Sequence, residues 1–141
     1  MSRKVYTLGY SGRKPEQLLA LLEDLDAVCF DIRLSARSMV PGWNKGPLSR
    51  LLGARYVHVP ALGNLAYKTG GPIQIADYAA GKALIEASEK PVVLMCGCKD
   101  ASLCHRSQVG AQLVAEGFEV VELPLRPTQP PKPVMLQLFL L

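Results

Sequence analysis

The stretch Val92-Val93-Leu94-Met95-Cys96-Gly97-Cys98-Lys99-Asp100-Ala101-Ser102-Leu103-Cys104-His105-Arg106-Ser107 constrains the fold more than any other part of the chain. An apolar, partly β-branched run stops at a thiol. A short polar loop carries further cysteines, and His105-Arg106-Ser107 opens a new apolar pattern. That order reads as buried strand, loop and helix. Ser102 is the expected N-cap, which places Cys104, His105 and Arg106 in the first turn of a helix reaching about Glu116, with Gly117 as its stop. Such a junction turns loop N–H groups and the positive end of a helix dipole into one space, which suits an anion or a thiolate.

The rest of the chain repeats the same alternation. Lys4 to Gly9 is a β-rich run ending in the turn Gly9-Tyr10-Ser11-Gly12-Arg13. Pro15 opens a helix with Leu18, Leu21, Leu22 and Leu25 on one face. Ala27 to Arg33 is a second strand, so strand, helix and strand form a right-handed unit with a parallel sheet. Leu34 to Gly46 reads as a loop, Pro47 to Leu52 as a short helix and Arg55 to Pro60 as a third strand. Ala61 to Pro72 is a long Gly-containing connection, of the kind that often carries function. Ile75 to Ser88 reads as a helix weakened by Gly81, and Phe118 to Leu123 as a fifth strand. The five prolines from Pro124 to Pro133 exclude a helix or a central strand there. The apolar residues Val134 to Leu141 then dock onto the body or form a dimer contact.

Residues 1–123 therefore read as a single α/β domain, a three-layer sandwich with a parallel five-stranded sheet and helices on both faces, and 124–141 as a tail. A chain of 141 residues can bury a core unaided, and 49% hydrophobic with 20% charged residues excludes wholesale disorder. The start of the chain has no signal-peptide core and no apolar run spans a bilayer, so a cytoplasmic location without membrane partners is expected, with four reduced cysteines. From Ile32 to Ala76 there is no Asp or Glu, whereas Arg33, Arg37, Lys45, Arg50, Arg55 and Lys68 fall there. Gathered positive charge of this kind is either a solvated face or a site for an anion.

In parallel sheets ligands bind beyond the carboxyl ends of the strands. The residues expected there are Tyr10, Ser11 and Arg13; Asp31, Arg33 and Arg37; His58; and Cys96 to Ser107. Cys96 and Cys104 are rival nucleophiles, and His105 is placed as a general base or a ligand. Tyr10, Ser11, Arg13, Asp31, Arg33, Arg37, Lys45, Lys99, Arg106 and Ser107 are the expected substrate-binding residues, with arginine suited to bidentate anion recognition. Trp43, Tyr10 and Tyr67 are candidates to stack a nucleobase, and Cys29 and His58 read as structural. Cys96, Cys98, Cys104 and His105 also form a zinc-like set, but adjacent residues on a helix diverge, so no metal or cofactor is assigned.

Thr7-Leu8-Gly9-Tyr10-Ser11-Gly12-Arg13, Asp31-Ile32-Arg33, Asn44-Lys45, Tyr56-Val57-His58-Val59-Pro60 with Leu62-Gly63, and Cys96 followed by Lys99-Asp100 and Cys104-His105-Arg106-Ser107 together resemble the uncharacterised family known as domain of unknown function 488. The resemblance runs to about Leu123 and implies a polar pocket without naming its activity. A weaker resemblance, through Asp31-Ile32-Arg33, Cys96, Arg106-Ser107 and Gly117-Phe118-Glu119-Val120-Val121, is to rhodanese-like domains. It implies a rhodanese-like or flavodoxin-like arrangement, with Cys96 as nucleophile and Arg106 holding the anion. Nine residues separate Cys96 from Arg106, more than in a rhodanese loop, and no Cys-x5-Arg occurs.

Two functions remain. One is an enzyme whose cysteine acts on an anionic substrate containing phosphate, sulfur or a nucleotide. The other is a non-catalytic domain that binds a nucleotide or nucleic acid, with or without a structural zinc. A homodimer through the tail is compatible with either.

Overall fold

The computed structural model describes residues 4–97, 104–124 and 132–134. Lys99, Cys98 and Ser102, three residues of the expected site loop, lie outside them.

Among the described residues, six strands and four α-helices follow in the order β1 (Lys4–Gly9), α1 (Pro15–Leu25), β2 (Val28–Asp31), α2 (Lys45–Leu52), β3 (Tyr56–His58), α3 (Tyr78–Ala87), β4 (Val92–Cys96), α4 (His105–Ala115), β5 (Glu119–Glu122) and β6 (Lys132–Pro133). They form one sheet in the order β3-β2-β4-β1-β5-β6. The first five strands are parallel, and only the two-residue β6 runs antiparallel, against β5. Pro133 thus adds to an edge, where its missing N–H costs no ladder bond. The Val134 N–H then donates to Val120 at 2.9 Å and its side chain packs on the core, so this part of the apolar tail docks onto the body. This order differs from the 2-1-3-4-5 of flavodoxin-like sheets.

Successive side chains on a strand point to opposite faces, and the core divides accordingly. Leu18 and Leu22 of α1 and Leu48 and Leu52 of α2 pack with Leu8, Cys29, Val93 and Met95 on one face. Ile85 of α3 and Val109 and Leu113 of α4 pack with Val5, Phe30, Val92, Leu94 and Cys96 on the other. The result is the expected three-layer α/β sandwich. Cys29 is a packing residue, and burial pushes its thiol pKa up.

Gly81, which weakens α3 by propensity, has a packing reason. A Cβ there would stand 2.3 Å from Leu62, whose side chain occupies the space. The α3 helix begins later than its apolar pattern indicates, because Asp77 caps it by accepting from the Ala80 N–H at 3.1 Å. No helix among the described residues is long and apolar enough to cross a membrane.

The strand order also fixes where a site can form. The chain leaves β4 toward the layer holding α4, while β1 and β2, its two neighbours in the sheet, lead to α1 and α2 on the opposite face. A crevice opens where adjacent strands send their connections to opposite faces. Cys96 ends the strand at that point.

Candidate functional site

The end of β2 is built around Asp31, which is fully buried. Its carboxylate accepts from Arg33 Nε at 2.8 Å and Arg33 Nη2 at 2.6 Å, and from the Tyr56 hydroxyl at 2.6 Å. This two-point fork fixes the guanidinium in one orientation. Burial alone would lower the Arg33 pKa, but the hydrogen bonds and charge of Asp31 outweigh that and raise it. The Arg33 guanidinium lies 5.2 Å from the centre of the Tyr10 ring, and the other face of that ring stacks on Trp43 at 4.5 Å. Both faces of Tyr10 are therefore covered, and Trp43 is buried, so neither offers a face to a nucleobase. Tyr67 remains exposed.

The chain's two histidines pin the same strand end. His58 Nε2 donates to the Arg33 carbonyl at 2.8 Å, and His105 Nε2 to the Ile32 carbonyl at 2.8 Å. A carbonyl only accepts, so His105 must carry its proton on Nε2 when neutral. Its Nδ1 is then a lone pair, and it lies 3.7 Å from Cys104 Sγ. Burial holds the His105 pKa below its ordinary value; the bond to Ile32 opposes this and the charge of Arg106 adds to it.

Cys104 itself corrects the expectation from sequence. It is the N-cap of α4 rather than a first-turn residue, with φ −115° and ψ 146°, and the helix starts at His105. An extended residue followed by a helical one can turn its side chain toward its neighbour's, and the divergence expected of two helical positions does not arise. The sulfurs of Cys96 and Cys104 meet, and both residues are buried. Cys96 Sγ, Cys104 Sγ and a ring nitrogen of His105 all lie within 4.8 Å of one another.

Arg106 approaches this group from α4. It is 1% exposed, donates to Cys96 Sγ from Nη1 at 3.1 Å, and is gripped by Glu122 through Nε at 3.1 Å and Nη2 at 2.9 Å. Glu122, at the end of β5, also accepts from the Thr7 hydroxyl. The sequence gives no sign of Glu122, because only the sheet order brings a residue from β5 to one 16 positions earlier.

A cavity of about 500 Å³ lies above these groups, lined by Tyr10, Arg33, Leu34, Ser35, Arg37, Asn64, Tyr67, Gly97 and His105. Two arginines and an imidazole line it, and among the described residues no carboxylate does. Gly97 follows Cys96 directly, and a Cβ on it would come 3.3 Å from the Tyr10 hydroxyl. Tyr67, a candidate stacking residue, lines the cavity; Leu34, Ser35 and Asn64 are not among the expected site residues, although the length of the 61–72 connection points to its part of the wall. Gly63 seats that connection, since a Cβ there would stand 2.7 Å from Leu34 Cα.

Of the expected residues, the structure brings Tyr10, Arg33, Arg37 and His105 to the cavity, with Asp31, Cys96, Cys104 and Arg106 beneath them. It does not bring Arg13, Lys45, Ser11 or Ser107 to the lining. Arg13 is buried and turned to the carbonyls of Gly9, at 3.2 Å, Leu123 and Pro124, and burial lowers its pKa. Lys45 is exposed at the start of α2, with its N–H donating to the Ala36 carbonyl at 3.0 Å. The Ser107 N–H donates to Cys104 at 3.1 Å as part of the helix start.

Comparison of the chain with family models, curated proteins and solved structures finds no match. Its function must come from the site's own chemistry.

Proposed function

We propose that this protein is an enzyme that holds an anionic small molecule in the cavity and acts on it through the sulfur and imidazole groups beneath. The observation that carries this reading is the lining itself: Arg33, Arg37 and His105 around about 500 Å³, with no carboxylate among the described residues that line it. Arg33, although paired with Asp31 beneath it, and the exposed Arg37 both present N–H donors to this opening, which favours a bound anion. Arg33 is the positioned donor, since Asp31 and Tyr10 fix its plane, and Arg37 is the exposed one that adapts. Cys96 is the sulfur suited to carry negative charge, because Arg106 Nη1 donates to it. The sequence motifs that resemble the domain of unknown function 488 family include Tyr10, Asp31, Arg33, Cys96 and His105, which are residues of this site.

The test is turnover of a panel of phosphate, sulfate and thiosulfate compounds by the full chain and by Cys96→Ser, with the fold of each checked by circular dichroism. Turnover that falls by at least about a hundredfold in the variant supports the reading. Undiminished turnover in a folded Cys96→Ser protein overturns it. Exposed Arg37, Lys45, Arg50 and Lys68 favour nucleic-acid binding as the second reading. In that case affinity for a single-stranded oligonucleotide falls steeply with salt, and no variant at Cys96 changes it.

A further inference from the structure

The geometry points to a metal centre: Cys96 Sγ, Cys104 Sγ and His105 Nδ1 together hold one zinc-class divalent cation. This rests on the site described above and deepens the proposed function by naming what its sulfur and imidazole groups hold.

Four observations support it. The three ligand atoms come from the end of β4 and the start of α4 and lie within 4.8 Å of one another. Two thiolates and an imidazole are the donor set that zinc takes in preference to harder cations. The imidazole is already set for a metal, because the Ile32 carbonyl takes the Nε2 proton at 2.8 Å and leaves Nδ1 unprotonated on the sulfur side. A backbone carbonyl in that position is the usual outer partner of a metal-bound histidine. Arg106 supplies the matching outer contact on sulfur, donating to Cys96 Sγ at 3.1 Å.

The fourth observation is the backbone spacing of the two cysteines. The Cα atoms of Cys96 and Cys104 are 7.7 Å apart, beyond the roughly 4.4–6.8 Å over which a disulfide closes. The two sulfurs are in contact; because two sulfurs each about 2.3 Å from a tetrahedral ion stand nearly 4 Å apart, the side chains would part to admit the ion, which the wider backbone spacing permits.

The charges balance. Each thiol releases one proton to solvent on binding, so a divalent cation with two thiolates and a neutral imidazole is neutral, and Arg106 is already neutralised by Glu122. Three protein ligands leave the fourth tetrahedral position for water or a ligand atom, as in catalytic rather than structural zinc sites. His105, the ligand that also lines the cavity, places that cation beside a bound anion, whose oxygen it can polarise as a Lewis acid.

The experiment is cobalt(II) titration of the reduced, chelator-treated full chain, with elemental analysis of the protein as purified. One cobalt per chain, with thiolate-to-cobalt charge transfer and the strong visible bands of a tetrahedral ion, is the expected result, and zinc should displace it. Cys104→Ser should remove about half of the charge-transfer intensity, one of two sulfur ligands being lost. His105→Gln should weaken binding at least tenfold while keeping the charge transfer. Cys98→Ser should retain the metal, and its loss there overturns the open fourth position. A charge-transfer band absent from protein whose thiols titrate as free overturns the site, as does a Cys96–Cys104 disulfide in the purified chain. Thermal stabilisation of the chelated protein by inorganic phosphate or AMP is measured alongside. If it persists while cobalt fails to bind, the metal assignment falls and the anion cavity stands. Cobalt binding without any anion effect retains the metal and removes the cavity reading.

Discussion

Arg33 and Arg106 flank β4 as two solutions to one problem. Each is a buried arginine gripped at two points by one carboxylate, Arg33 by Asp31 and Arg106 by Glu122. They differ in what the remaining nitrogen faces. Arg106 Nη1 is committed to Cys96 Sγ at 3.1 Å, whereas among the described residues Arg33 Nη1 has long contacts of 3.5 Å to the Tyr10 hydroxyl and the Arg37 carbonyl, and Arg33 lines the cavity. The same fork therefore serves two ends. Around Arg106 it builds a closed group that fixes a sulfur. Around Arg33 it builds an aimed donor at the cavity, whose Nη1 makes only longer bonds to described residues.

If that difference is real, the forks should respond unequally to loss of their carboxylates. Asp31→Asn removes the charge from a fully buried residue that anchors both Arg33 and Tyr56, and leaves a guanidinium buried without its counter-charge. A loss of about 3–5 kcal/mol in urea unfolding is expected. Glu122→Gln should cost about 1–3 kcal/mol, because the Glu122 side chain keeps 21% exposure and the amide oxygen still accepts from Arg106. Equal losses would remove the contrast between the two sites.

Gly63→Ala probes the cavity wall instead of the forks. Its new Cβ meets Leu34 backbone atoms at 2.7 and 2.8 Å, and a cost of about 1–3 kcal/mol is expected with weaker anion binding, read by thermal shift. Arg37→Ala should leave stability within about 0.5 kcal/mol and still weaken anion binding several-fold, since Arg37 is exposed and lines the cavity. Lys45→Ala, exposed and outside the lining, should change neither; a loss of affinity there would extend the site along α2.

The parts of this molecule that are legible in sequence are those set by local pattern. Apolar periodicity and the Pro15, Gly117 and Pro124–Pro133 signals place the alternation and the parallel sheet, and strand ends followed by polar residues place the site's edge. Partnership across the sheet is not local. Arg13 and Arg33 both follow strand ends, yet Arg33 meets Asp31 two residues away, while Arg13 is drawn inward by the carbonyls of Leu123 and Pro124, 110 and 111 residues on. Glu122 escaped notice for the same reason. The convergence of Cys104 and His105 depended on a single backbone boundary: Cys104 is extended, not helical, and moving the helix start by one position reverses the prediction for their side chains.

The most direct test of the central claim uses Trp43, the only tryptophan, which stacks on Tyr10 behind the cavity wall. Its fluorescence is followed while the full chain is titrated with inorganic phosphate or AMP, at low and high salt, alongside Arg37→Ala. A saturable change that weakens with salt and shifts several-fold to higher concentration in Arg37→Ala is the predicted result. Titrations that stay flat, or that are identical in the wild-type chain and in Arg37→Ala, would contradict the claim that this cavity binds anions.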